Sequence, residues 1–215
     1  YYCEPVMVEY ARQFFHEINE LPDVRVQLHG EGLLQHMAYA RRNDKVTLKE
    51  KVNIAFSTPI TITHEHIEAM QKLHRNPVYG IDGKKHRDVV MKLAEGLKTR
   101  SVMDYGCGKG TLAASLPFPI WEYDPAIPGK DGVPRPADLV ICLNVLEHVE
   151  PQMLDNVLGD LVRCSKVCVF AIIESAEKDW WHERLNRYFK IGTLLQHGTE
   201  LHAVLEPRKM GLIGV

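Results

Sequence analysis

The sequence predicts an α/β domain with a mostly parallel sheet and helices on both faces, abbreviated at one place and preceded by a smaller α+β segment. Three observations carry that expectation. Strand-like Ser101-Val102-Met103 runs straight into a glycine cluster that opens a helix. From there on, short apolar strands alternate with helical stretches, the pattern of a sheet buried on both sides. A second strand ends in an acid, Asp124, 18 residues after Gly106, near the ~20 that separate glycine loop and acid in nucleotide-binding βαβ units.

The elements follow in order. Val6, Tyr10, Phe14 and Ile18 recur at helical spacing until Pro22 ends the run. Val24 to Leu28 alternates as a strand, His29-Gly30-Glu31-Gly32 turns, and Leu33 to Arg42 can form a helix. Val52 to Thr63 is β-prone, with Pro59 confining it to an edge or a loop. Residues 1–62 are thus expected to form a separate segment of unassigned role, and the opening on Tyr1 rather than Met suggests the tail of a larger domain. The second domain, 63–215, begins with a helix from Glu65 to Leu73 that Asn76-Pro77 closes. After the turn-rich joint Tyr79 to Gly83, a helix from Lys84 to Leu97 presents Val89, Val90, Leu93 and Leu97. Beyond the glycine cluster come a short helix from Thr111 to Leu116, a strand over Pro119 to Asp124 and a buried strand from Pro136 into Leu143. A helix from Met153 to Arg163 and a β-branched strand from Lys166 to Ile173 complete the alternation. Trp180, Trp181, Tyr188 and Phe189 read as one helical stripe, either core or a lid over substrate. Glu200 to Leu205 and Met210 to Val215 are the expected closing hairpin.

Composition bounds the partners. Twenty-six Lys and Arg against 28 Asp and Glu leave a net charge of -2, so no global positive field draws the chain to nucleic acid or an anionic membrane. No apolar run is long enough to span a bilayer and the sequence shows no charged-then-apolar start, which makes the cytoplasm the expected location. Of five cysteines, Cys107, Cys142, Cys164 and Cys168 lie in or beside apolar text, as reduced thiols do. No metal site is expected, because nothing pairs with them at ligand spacing.

The chemistry lies in Asp104-Tyr105-Gly106-Cys107-Gly108-Lys109-Gly110-Thr111. Glycines between a strand and a helix allow positive φ and let a ligand approach bare backbone, while free N–H groups at the helix start attract electronegative atoms. A dinucleotide fingerprint needs its third glycine one residue later, where Thr111 stands, so a nicotinamide cofactor is disfavoured. The spacing Asp-x-Gly-x-Gly-x-Gly resembles motif I of the class I S-adenosylmethionine (SAM) dependent methyltransferases. That resemblance implies a Rossmann-like sheet and SAM as cofactor. It passes the loop of Tyr105, Gly106, Cys107, Gly108 and Gly110 under the cofactor's amino-acid part, and sets Asp104 against its ammonium. Asp124 is the expected acceptor for the ribose hydroxyls, with Glu122 in reserve. The run Asp138 to Val149 resembles motif IV, and its Val-Leu-Glu-His-Val tail resembles the quinone-type O-methyltransferases. Leu143 and Asn144 are expected beside the cofactor. His148 is the candidate base, and Glu147 its orienting or metal-holding neighbour. His64, His66, His74 and His86 are further candidates. Asn144 stands where a metal-dependent RNA-methylating family carries Glu, and it lacks the charge a divalent cation prefers.

Two departures shape the expectation further. Only 13 residues separate Asp124 from Asp138, and they include Pro125, Pro128, Pro134 and Pro136, too few and too rigid for the usual helix and third strand. The adenine side is then expected to be lined by this loop, with Pro125, Ile127 and Asp131 in reach. Such compaction is similar to small phage and bacterial proteins of the methyltransferase type. No aromatic or proline follows Asn144, so the amino-methylating DNA enzymes, which stack a flipped base there, are disfavoured. A small-molecule acceptor with O or N is the leading expectation. The alternative is a SAM-binding module without turnover in a larger assembly.

Overall fold

The computed structural model describes residues 59 and 61–208, which lie in the second of the chain's two units, beginning at Pro59. The elements expected over residues 1–58, and the strand over Met210 to Val215, lie outside the described residues. Helix α1 (His64–His74) starts at Thr63, whose hydroxyl accepts the N–H of His66 at 3.3 Å, a side-chain N-cap. None of its residues is buried. A 3₁₀ turn, Asp82–His86, then leads into α2 (Arg87–Gly96). The sequence predicts one continuous helix here; the difference has a local cause. The Thr111 hydroxyl accepts the N–H of Lys84 at 3.4 Å and donates to the carbonyl of Ile81 at 2.8 Å, so backbone groups of this turn find a side-chain partner in place of a continuous helical ladder. Leu97 falls past the end of α2 and is 39% exposed, so the buried face of the helix is Val90 and Ala94, flanked by Val89 and Leu93.

The sheet contains β1 (Val102–Tyr105), β2 (Trp121–Tyr123), β3 (Ala137–Leu143), β4 (Ser165–Glu174), β5 (Phe189–His197) and β6 (Glu200–Pro207). Between them lie α3 (Thr111–Ser115), a 3₁₀ turn over Leu146–His148, α4 (Leu154–Cys164) and α5 (Lys178–Asn186). The strand order is β2-β1-β3-β4-β6-β5. The first four strands are parallel, and β6 and β5 close the sheet antiparallel. Period-two alternation sorts the side chains. Val102, Ile141, Phe170 and Ile172 pack with Val90 of α2 and Leu112 of α3. Met103, Val140, Val169 and Ala171 pack with Leu158 and Leu161 of α4 and Leu185 of α5. Helices therefore cover both faces, as the apolar alternation requires.

Two features adjust the expected outline. The hairpin at the sheet's end pairs β6 with β5, Phe189–His197, a segment that the sequence reading begins inside a helical stripe. The stripe itself divides: Trp181 and Phe189 are buried on different elements, and Trp180 is 47% exposed. Between Ile191 and Thr193 the ladder of β5 against β6 shifts register. Such a bulge lets Leu194, an even position, rejoin the core that Phe189 and Ile191 occupy from odd ones. Residues 125–136 hold no helix or strand, so β2 stands at the sheet's edge. The loop's far end is fixed from α4, where Arg163 donates to the carbonyl of Pro134 at 3.2 Å while pairing with buried Asp160 at 2.7 Å. Asp160 in turn accepts from the Tyr105 hydroxyl at 2.9 Å.

Candidate functional site

At the carboxyl ends of β1, β2 and β3, where open α/β sheets place ligands, lies a cleft of about 210 Å³. Its floor is the glycine loop. The chain leaving β1 folds across the end of β2: Gly106 and Cys107 both donate to the carbonyl of Tyr123, at 2.8 and 3.0 Å. Gly106 has φ +79°, and a Cβ there would run into the Val145 side chain. Gly108 has φ +52°, and a Cβ would stand 2.8 Å from the carbonyl oxygen of Gly80. The loop is thus packed backbone to backbone against the Tyr79-Gly80 turn. Lys109 strengthens that seam, its N–H donating to Gly80 at 3.0 Å and its ammonium to the carbonyls of Asn76 and Tyr79.

Two acids govern the electrostatics. Asp124 lies just past β2, 6% exposed. One of its oxygens accepts the N–H of Gly108 and the other that of Ala126, each at 3.0 Å. Asp104, 3% exposed on β1, accepts no such backbone N–H among the described residues. Burial first, then the neighbouring Glu122 and Asp124 charges, push its carboxyl up to about 7, while Lys130 pulls the other way. Lys130 itself pairs with Glu122 at 2.9 Å and donates to the carbonyl of Gly108 at 3.3 Å. Burial also pushes the Cys107 thiol far up, so it is no nucleophile at neutral pH.

The structure brings most of the expected residues together. Asp104, Tyr105, Gly106, Cys107, Asp124, Pro125, Leu143, Asn144 and His148 all border the cleft. Three do not. Gly108 faces Gly80, and Gly110 faces the Glu122–Lys130 pair, so both shape the loop from behind. Glu147 turns away as well: one oxygen accepts the Asn144 amide at 3.3 Å and the N–H of Glu174 at 3.0 Å, while the other is buried without a partner. It therefore holds Asn144, whose own φ is +52° and whose N–H reaches Ile172 at 2.8 Å, rather than orienting His148. Glu122 is likewise tied to Lys130 and does not border the cleft. Of the loop candidates, Pro125 lines the cleft while Ile127 and Asp131 do not, and Ala126 takes their place. Among the further histidines, His66 and His74 line it and His64 and His86 do not.

Of the wall opposite the strands, sequence reasoning names only His66 and His74. This wall comes from Thr61, Ile62, α1 and the turn Tyr79 to Gly83. Glu150 anchors its start, accepting from the N–H and hydroxyl of Thr63 at 3.0 and 2.7 Å. The signal available was the pair Gly80 and Gly83, which reads as a plain turn until Gly108 is seen against it. His74 stacks edge-on against Tyr79 at 5.0 Å, and burial, with Lys109 and Lys130, outweighs Asp124 to lower its pKa. Among the described residues no three His, Cys, Asp or Glu side chains are placed to hold a metal ion.

A family model described as a methyltransferase domain matches residues 68–203. No curated protein matches the sequence. Among solved structures, a 1,6-didemethyltoxoflavin-N1-methyltransferase of Burkholderia thailandensis, with its substrate and S-adenosylhomocysteine bound, superposes with a TM-score of 0.53 at 11% identity, over 70% of this chain and 92% of that one. The N-methyltransferase NodS of Bradyrhizobium japonicum gives 0.45 at 12% identity, over 66% and 98%. An rRNA methylase of Escherichia coli gives 0.43 at 14% identity, over 92% and 99%. At such identities the likeness is one of fold.

Proposed function

Given that the chain belongs to the methyltransferase domain family, within the class I SAM-dependent methyltransferases, we propose that it transfers a methyl group to an oxygen or nitrogen of a small molecule. The observation that carries this reading is the pair of buried acids, Asp104 and Asp124, facing one cleft across a glycine loop. SAM supplies a methyl on a sulfonium, together with an ammonium and a ribose diol. The residues present suit those groups. Asp104 is a buried carboxyl lacking a cation of its own, the natural seat for the ammonium. A carboxylate has about four acceptor positions, and Asp124 uses two for backbone N–H groups, which leaves room for two ribose hydroxyls. Bare Gly106 lets the ligand lie close to the chain.

Methyl transfer is an in-line displacement, so the protein chiefly positions the acceptor and, for a hydroxyl, removes its proton. His148, exposed at the cleft's rim, is the proposed base, able to pass that proton to solvent. Glu147 supports the site through Asn144. A second reading, SAM binding without turnover, draws on the Glu147 carboxylate being turned away from His148. Calorimetry with SAM, S-adenosylhomocysteine and NAD tests the cofactor, with saturable NAD binding and none of SAM as the refuting result. Labelled SAM incubated with cell extract separates the two readings by whether methyl is transferred.

A further inference from the structure

His74 closes helix α1 and lines the cleft together with His66 and Met70, which precede it on the same helix face at four-residue spacing. Its ring lies over bare backbone. A Cβ on Gly80, whose φ is +70°, would stand 2.9 Å from the His74 Cε1 and 3.2 Å from Nδ1. Tyr79 meets the ring edge-on and completes its seat. Held there, Nδ1 is buried and has no hydrogen-bond partner, while Nε2, also unbonded among the described residues, stays open to approach. Burial lowers the imidazole's pKa against the pull of Asp124, and Lys109 and Lys130 lower it further, so the ring is neutral at pH 7. Nδ1 has nothing to donate to, which sets the single proton of the neutral ring on Nε2.

Resting on the reading of Asp124 as the ribose acceptor, we infer that His74 is a second cofactor-binding residue, its Nε2–H donating to the oxygen of one ribose hydroxyl. The two groups complement each other. An ionised carboxylate only accepts, so Asp124 takes the hydrogen of the hydroxyl and leaves the lone pairs on its oxygen unused. A neutral imidazole N–H is the donor that those lone pairs lack. His74 lies within the field of Asp124 and borders the same cleft. The contact would join the cofactor to the helix that also brings His66 and Met70 to the cleft.

The test is calorimetry of the whole protein with S-adenosylhomocysteine and its 2′-deoxy and 3′-deoxy analogues. His74→Phe keeps a ring against Tyr79 and Gly80 but removes the donor, and should bind S-adenosylhomocysteine about two- to tenfold more weakly than the parent. His74→Gln, whose amide can donate from near the position of Nε2, should recover most of that loss. One deoxy analogue should bind the parent and His74→Phe alike, because the hydroxyl that His74 meets is gone, while the other keeps the full difference. Equal affinity of parent and His74→Phe for S-adenosylhomocysteine, or the same ratio for all three ligands, overturns the assignment of His74 and leaves the cofactor reading standing. No binding of S-adenosylhomocysteine to the parent overturns both.

Discussion

The carboxyl of Asp104, pushed up to about 7, makes cofactor affinity depend on pH with a calculable size. In the free protein half of this group is protonated near pH 7. An ammonium placed against it requires the ionised form, so below pH 7 binding must release a proton. Affinity then falls by nearly tenfold for each pH unit, and from pH 7.5 to 5.5 the loss is about 25-fold. Above about pH 8 the ligand's own amino group, with an ordinary pKa near 7.7–8, loses its charge and affinity declines again. Calorimetry of S-adenosylhomocysteine across pH 5.5 to 8.5, in buffers of different ionisation enthalpy, reads both the affinity and the proton released, close to one at pH 5.5. Stability moves in the linked sense. A raised carboxyl pKa means that the folded state holds its proton more tightly than the unfolded state between pH 4 and 7. The unliganded protein therefore loses stability as pH rises through that window, by roughly 4 kcal/mol, and is level above it. Asp104→Asn should remove this slope and melt higher than the parent at pH 8 while binding ligand poorly. An affinity that stays flat from pH 5.5 to 7.5, or an equal slope in Asp104→Asn, refutes the assignment of the ammonium to this acid.

Other predictions follow from the loop's construction. Asp124→Ala should weaken S-adenosylhomocysteine by tenfold or more, since charged hydrogen bonds contribute roughly 1.5–3 kcal/mol each. Asp124→Asn should lose nearly as much, because the new NH₂ would face the N–H of Gly108 or Ala126; retention of parental affinity by calorimetry contradicts this. Gly106→Ala should lower the melting temperature and be partly restored by Val145→Ala, whose side chain is the obstruction. Gly108→Ala meets the Gly80 backbone instead and should find no rescue in that second change; a rescue seen in thermal melts would locate the clash wrongly. His148→Ala should lower kcat with cofactor affinity unchanged, whereas Glu147→Ala, by releasing Asn144, should raise KM for the cofactor as well. Equal kinetic profiles for the two variants would return Glu147 to a role through His148.

Much of the cofactor side could be read from the chain because its determinants are local. A strand, a glycine loop and an acid 18 residues on are a contiguous pattern, and the abbreviated sheet follows from the prolines after Asp124. What escaped depends on contacts between distant segments. Gly108 reads as a ligand-facing glycine until Gly80, 28 positions earlier, is found against it. Glu147 reads as the partner of adjacent His148, but the 3₁₀ turn sends its side chain toward Glu174. Phe189 looks helical by spacing beside Trp181, and only the pairing with β6 shows it to be a strand residue.

Helix α1 carries no buried residue, and its hold on the rest of the unit is concentrated at its two ends: Glu150 clasps Thr63 at one, and the Lys109 ammonium gathers the carbonyls of Asn76 and Tyr79 just past the other. The wall that faces an incoming acceptor is therefore suspended like a bridge deck between two anchorages. Its spans can be exchanged without disturbing the masonry of the cofactor loop. Substrate range in this protein should accordingly be able to drift, or be re-engineered, by transplanting residues 64–73 as a cassette, provided that Thr63, His74, Glu150, Lys109 and Gly80 stay where they are.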